Sequence, residues 1–180
     1  MIVARVQYLT RAAAGRSLAP LYDRLESERK VPTANIFLAL ANAPEILDGF
    51  LTYANAVRSA KLSPRLRELA ILVVGHVTSS HYEIVHHRSH ALKAGVTEEQ
   101  YAAVPDFESS PLFYDAERAV MAFAKDSTLN VDVSDETWNR ASEHLSEREM
   151  VELAVTISWY NSGVRIMGAL KIDLEDSHEK

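Results

Sequence analysis

The sequence predicts an all-α protein, and three observations carry that prediction. Between Glu45 and Ala60 the apolar residues Ile46, Leu47, Phe50, Leu51, Ala54 and Val57 recur at intervals of three and four, the pattern of an amphipathic helix. Helix-start chemistry recurs along the chain, in Ser63 before Pro64, Thr97 with Gln100, Ser134 before Asp135 and Glu136, and Ser146 with Glu149. Asp115 to Lys125, DAERAVMAFAK, is alanine-rich and made largely of good helix formers.

Taken in order, the first 30 residues mix Val3, Val6, Leu9, Leu18, Leu21, Tyr22 and Leu25 with charge; the later spacing predicts a short helix from about Leu18, serving packing or subunit contact. Pro32 breaks the chain, and Thr33 is the N-cap expected for a helix over Ala34 to Ala41. Asn42 to Glu45 form a joint into the amphipathic helix. Next comes Leu62 to Gly95, the most informative stretch. Ser63 and Pro64 open it, because proline lacks only an N–H that a helix start leaves unpaired. The run Leu69 to Val77, LAILVVGHV, reads as a buried strand as easily as a buried helix on its own periodicity. A polar break separates it from a second helix crowded with histidine, which Gly95 stops.

Thr97 and Gln100 make a capping box for a further short helix. Val104 to Pro111 is the longest loop expected, of a kind that can border a site. The helix after Ser134 places acids at the favourable end of its dipole, with Trp138 expected to anchor it in the core. Ser146 and Glu149 then open MVELAVTISWYNSGVRIMGAL. LSPRLRELAILV at Leu62 and LSEREMVELAVTI at Leu145 echo one another with a one-residue offset, pointing to two related helical hairpins.

The chain has 180 residues, 47% of them hydrophobic, which suits one compact domain. A formal charge of −6 without a basic cluster argues against nucleic acid and against an anionic membrane surface as partners. Arg5, Gln7, Arg11 and Arg16 interrupt the apolar residues before a signal peptide could form, and no 18 consecutive residues are apolar, so a cytoplasmic location is expected. With no cysteine, disulfides, thiolate nucleophiles and thiolate metal sites are excluded.

Ser80, Glu83 and His87 stand at i, i+3 and i+7 and share one helix face. Glu68 lies 19 positions before His87, where a helical hairpin brings it to the same place. Each has an ordinary role as well: a glutamate near a helix start usually compensates the dipole, and a lone helical histidine is usually structural. The combination differs, since a histidine four residues from a glutamate can be charged and oriented by it. His76, His81, His86, His87 and His90 raise the question of a metal, and His86 with His90 has chelating spacing. The chain offers neither HExxH nor a clear third ligand, and no metal or cofactor is expected. Arg165, i+4 from Asn161, is expected to pair with Glu152 or Glu68, or to hold an acidic ligand.

RELAIL at Arg67 to Leu72, the tyrosine, glutamate and histidine of YEIVHH at Tyr82 to His87, and Ala91 and Gly95 together resemble the carboxymuconolactone decarboxylase and alkylhydroperoxidase D-like (AhpD-like) family. The resemblance is tightest over 33–103 and looser over 113–175. It implies an all-α AhpD-like fold of two related hairpins, with LAILVVGHV helical. The implied organisation is one domain over 1–180: an extension over 1–32, a first repeat with the site motif over 33–103, and a second over 113–175. In the family's peroxidase branch the positions of Ser80 and Glu83 are two cysteines, served by a proton relay at those of Glu68 and His87; without cysteine, thiol peroxidase activity is not expected here. The cysteine-free branch carries a motif similar to YEWxxH, with Ile84 here replacing the tryptophan.

The expectation is therefore a decarboxylase-like enzyme applying acid–base chemistry to a small carboxylated or lactone substrate. Loss of CO2 leaves an enolate, which needs charge stabilisation and a proton delivered to carbon. Glu68, Glu83 and His87 are the expected catalytic residues: His87 or Glu68 is the acid, and Glu83 orients His87. Ser80, Tyr82 and Arg165 are expected to bind substrate. The alternatives are a cysteine-free alkylhydroperoxidase-like relative with another proton-transfer or metal-assisted activity, and a non-catalytic oligomeric binding protein. The family implies a homo-oligomer, whether dimer, trimer or hexamer.

Overall fold

A computed structural model describes residues 4–29 and 34–175; Val3, Pro32 and Thr33, with the break and cap expected there, lie outside them. Among the described residues there is no strand, and nine α-helices follow one another: α1 (Ala19–Arg29), α2 (Asn35–Leu40), α3 (Pro44–Arg58), α4 (Pro64–Val77), α5 (His81–Lys93), α6 (Glu98–Ala103), α7 (Asp115–Asn130), α8 (Asp135–Ser142) and α9 (Glu147–Leu170). The all-α expectation holds. LAILVVGHV is helical, and every residue from Glu68 to Gly75 is buried. A helix covered on all sides needs no apolar stripe, which is why its periodicity carried no decision.

By their contacts the described residues divide into two units, one taking those up to Arg58 with those from Ile166, the other running Ser59–Arg165. In the first, Tyr22 and Leu25 of α1, Ile36 and Leu40 of α2, and Leu47 and Leu51 of α3 are buried. Arg24 joins α1 to α3, bonding Thr52 Oγ1 at 3.0 Å and pairing with Asp48. The buried side of α3 contains Leu47, Leu51, Ala54 and Val57, as its spacing predicted.

The second unit is centred on α4, which packs against both α5 and α7. Arg65 ties it together: its Nε lies 2.6 Å from Glu117 of α7 and its Nη2 2.8 Å from Gln100 of α6, while Nη1 donates to the carbonyl of Gly95. Gln100 and Glu117 also reach back to the starts of their own helices, at Thr97 and Tyr114. The Thr97 and Ser146 capping pairs form as expected.

Three local expectations are corrected. Ser63 makes no side-chain cap; instead Glu152 of α9 accepts from the N–H groups of Lys61 and Leu62, at 2.8 and 2.7 Å. Trp138 is 46% exposed, resting against Phe123 rather than entering the core, because α8 is only 8 residues long and buries Ala141 instead. The loop after α6 opens with a 3-10 turn over Val104–Asp106, seats Val104 and Phe107 inside, and is clamped by Arg118 on the carbonyls of Phe107 and Ser110.

Candidate active site

The turn from α4 to α5 decides what can meet. Thr78 ends α4, Ser79 takes a left-handed conformation at φ +53°, and the N–H of Ser80 returns to the carbonyl of Gly75 at 2.8 Å. The reversal lays α5 directly on α4. A Cβ at Gly75 would sit 3.1 Å from Ile84 Cγ1 and 3.4 Å from Glu83 Cβ, so glycine permits an approach that any larger residue would widen. Ser80 is the N-cap of α5, its hydroxyl accepting from the Glu83 N–H at 3.4 Å.

This hairpin brings Glu68, Glu83 and His87 together. His87 Nδ1 lies 2.8 Å from Glu68 Oε2, and Nε2 lies 3.3 Å from Glu83 Oε2. The three residues are 5%, 6% and 8% exposed in the order Glu68, Glu83, His87. Tyr160 of α9 sets its ring 4.9 Å from the His87 ring, at 87° between planes, and Arg67 Nε stands 3.6 Å from Glu68 Oε1.

Electrostatics separate the two carboxyls. Burial opposes a charge on His87, but the hydrogen bond to Glu68 and the negative charges of Glu68 and Glu83 outweigh it and lift the imidazole above its usual range. Burial also works to raise Glu68, yet the bond to His87 and the charges of His87, Arg67 and His90 bring it below the usual carboxylate range. Glu83 moves the other way. Burial pushes it up and the charge of Glu68 adds to that, with only the charge of His87 opposing. Glu68, bonded to Nδ1, is thus the carboxyl that favours a charged imidazole, and Glu83 is the one more readily protonated.

The other expected residues lie around or away from this triad. Tyr82 is buried on the neighbouring row of α5, its ring stacked on His86 at 5.5 Å. His86 and His90 have ring centroids 5.9 Å apart, and among the described residues no three His, Asp or Glu side chains are arranged to hold a metal ion. Arg165 is exposed and bonds Asn161, at 2.8 Å to its carbonyl and 2.6 Å to Oδ1. The buried ion pair expected for Arg165 is thus corrected: the face of α9 it occupies looks to solvent, and Glu152 is taken by Arg148 and the start of α4. Tyr160 and Gly163 are the neighbours that sequence reasoning missed, because nothing in WYNSG reveals which turn of α9 crosses α5.

Residues 44–126, a span containing α3, the whole α4–α5 hairpin and its Glu68, Glu83 and His87, match the model of the carboxymuconolactone decarboxylase family. Over that span the chain is similar to this family. A relative from Bacillus subtilis, described as the uncharacterized protein YdfG, is 26% identical over 130 residues, 71% of this chain and 88% of that protein. Among solved structures, the apo debrominase Bmp8 superposes with a TM-score of 0.82 at 20% identity, covering 99% of this chain and 96% of its own. The AhpD core of a peroxidase-related protein from Ralstonia eutropha gives 0.82 at 16% identity over 98% and 94%. Those likenesses establish the AhpD-like helical fold. Among the described residues no helix is long and apolar enough to cross a membrane.

Proposed function

We propose that this protein is a carboxymuconolactone decarboxylase-like enzyme that delivers a proton to carbon in a small carboxylated or lactone substrate. The observation carrying the proposal is the buried His87 held between two carboxyls whose environments drive them apart, the arrangement by which one fold keeps an acid and a base together near neutral pH. Glu68, the closer partner, orients His87 and keeps it charged. Glu83 carries the proton that is transferred, and the imidazolium stabilises the negative charge that develops when CO2 leaves. This exchanges the parts expected for the two glutamates. Ser80, whose hydroxyl proton remains available after capping, and Tyr82 contribute hydrogen bonds, while Arg165, on the solvent face of α9 and bonded to Asn161, is left out of the substrate contacts. No cofactor is invoked.

The test is a turnover screen of small carboxylated lactones and keto acids against the wild type and Glu83→Gln, a variant of nearly the same shape without an acidic proton. With the substrate so found, kcat is expected to fall about 100-fold while KM changes little. Equal turnover by the two proteins rules Glu83 out as the acid.

A cytoplasmic homo-oligomer belongs to the same proposal. Val151 and Val155, one turn apart on α9, are 62% and 37% exposed, and their pairing between copies would remove apolar surface from water. Light scattering is expected to give a mass that is a multiple of 20.1 kDa; a monomeric mass at micromolar concentration refutes it.

A further inference from the structure

Helix α9 passes the triad with a side chain against one member and none against another. Tyr160 packs on His87, and one turn later Gly163 faces Glu83. A Cβ at Gly163 would meet one atom within 4 Å beyond the helix's own backbone, Glu83 Oε1 at 3.7 Å. Glu83 Oε2 is engaged by His87, but among the described residues no hydrogen bond or ion pair reaches Oε1. A glycine at this place inside a 24-residue helix, where alanine is intrinsically preferred, leaves that side of the carboxyl oxygen without a covering side chain. Neither backbone conformation nor crowding requires glycine here, since φ is not positive and an added methyl would reach only ordinary contact distance.

We infer that the space between Gly163 and Glu83 Oε1 is the notch that receives the reacting group of the substrate, and that Gly163 determines which substrates fit. A neutral carboxyl facing the notch donates a hydrogen bond, so the matching group is an acceptor of carbonyl or enolate type; a cationic amine is disfavoured. In the transfer the Oε1–H bond breaks and the enolate electron pair forms the new C–H bond. The carboxylate left behind takes the Nε2 proton of His87 on Oε2, and His87 regains a proton from water.

This inference rests on the acid–base reading of Glu83, and the experiment separates the two. Diazoacetamide esterifies protonated carboxyls: the acid proton moves to the diazo carbon, N2 leaves, and the carboxyl oxygen bonds that carbon. The native protein is treated at neutral pH and modification of Glu83 is followed by peptide mass spectrometry, beside thermal midpoints. Wild type is expected to be esterified at Glu83. Gly163→Ala should react at least tenfold more slowly with an unchanged or raised midpoint, and Gly168→Ala, where a Cβ meets nothing within 4 Å, should react as wild type does. Equal rates in wild type and Gly163→Ala overturn the notch and leave the acid–base reading standing. A lowered midpoint in Gly163→Ala also overturns it, because the glycine would then serve packing. Absence of Glu83 modification in the wild type overturns both.

Discussion

Replacing His87 with glutamine is expected to lower turnover by about three orders of magnitude, near the middle of the range for losing a positioned acid–base group. Glutamine can still bridge Glu68 and Glu83 by shape, but it carries no charge to hold Glu68 ionised. The loss should therefore appear in kcat and be accompanied by a changed pH dependence of stability. In the wild type, the raised native value of His87 means that its contribution is full below the ordinary imidazole value of 6.5 and fades as pH rises through the native value. Glu83, also raised, contributes below the ordinary carboxyl value of 4.5 and loses that contribution as pH rises through its own native value. Glu68 is lowered, so its contribution is full above 4.5 and disappears as pH falls through its native value. The His87 and Glu68 contributions are both full between 4.5 and 6.5, and urea unfolding across pH should place the stability maximum on the mildly acidic side. His87→Gln is expected to flatten the alkaline limb; an unaltered limb with unaltered turnover would sink the proposed mechanism.

The second large effect concerns folding. Arg65→Ala should destabilise the protein by about 3–5 kcal/mol, because it leaves the Glu117 carboxylate, whose side chain is 4% exposed, without its cation. It also removes the donors to Gln100 and Gly95, loosening the start of α6 and the end of α5 together. The double change Arg65→Met with Glu117→Leu is expected to recover much of the loss, since the cost lies in the charge left alone. The urea midpoint reports both. A loss under about 1 kcal/mol in Arg65→Ala would show that solvent reaches Glu117 well enough to replace the arginine.

Much of the fold was legible because it is written in local chemistry. The spacing of Leu47, Leu51, Ala54 and Val57 gave α3, and the Thr97–Gln100 pair gave the start of α6, since both rest on neighbours three or four residues away. Of the site, the i, i+4 relation of Glu83 and His87 was readable for the same reason. The meeting of Glu68 with His87 rested on an inferred hairpin, and the opposite drift of the two carboxyls was not readable, because it depends on depth and on which one the imidazole approaches more closely. Trp138 and Arg165 were misjudged where a residue's chemistry was taken to fix its surroundings. A tryptophan on an 8-residue helix and an arginine on the solvent face of α9 answer to geometry first.

Glu152 occupies, in the echo of RELAIL, the position Glu68 holds in the original. There it accepts two backbone N–H groups at the threshold of α4, holding the very helix that carries its counterpart. If the two halves descend from one duplicated ancestor, the same carboxylate has diverged into a tool in one copy and a bracket in the other. Restoring an imidazole beside Glu152 would therefore not create a second centre; it would draw the carboxylate away from Lys61 and Leu62 and unseat the first.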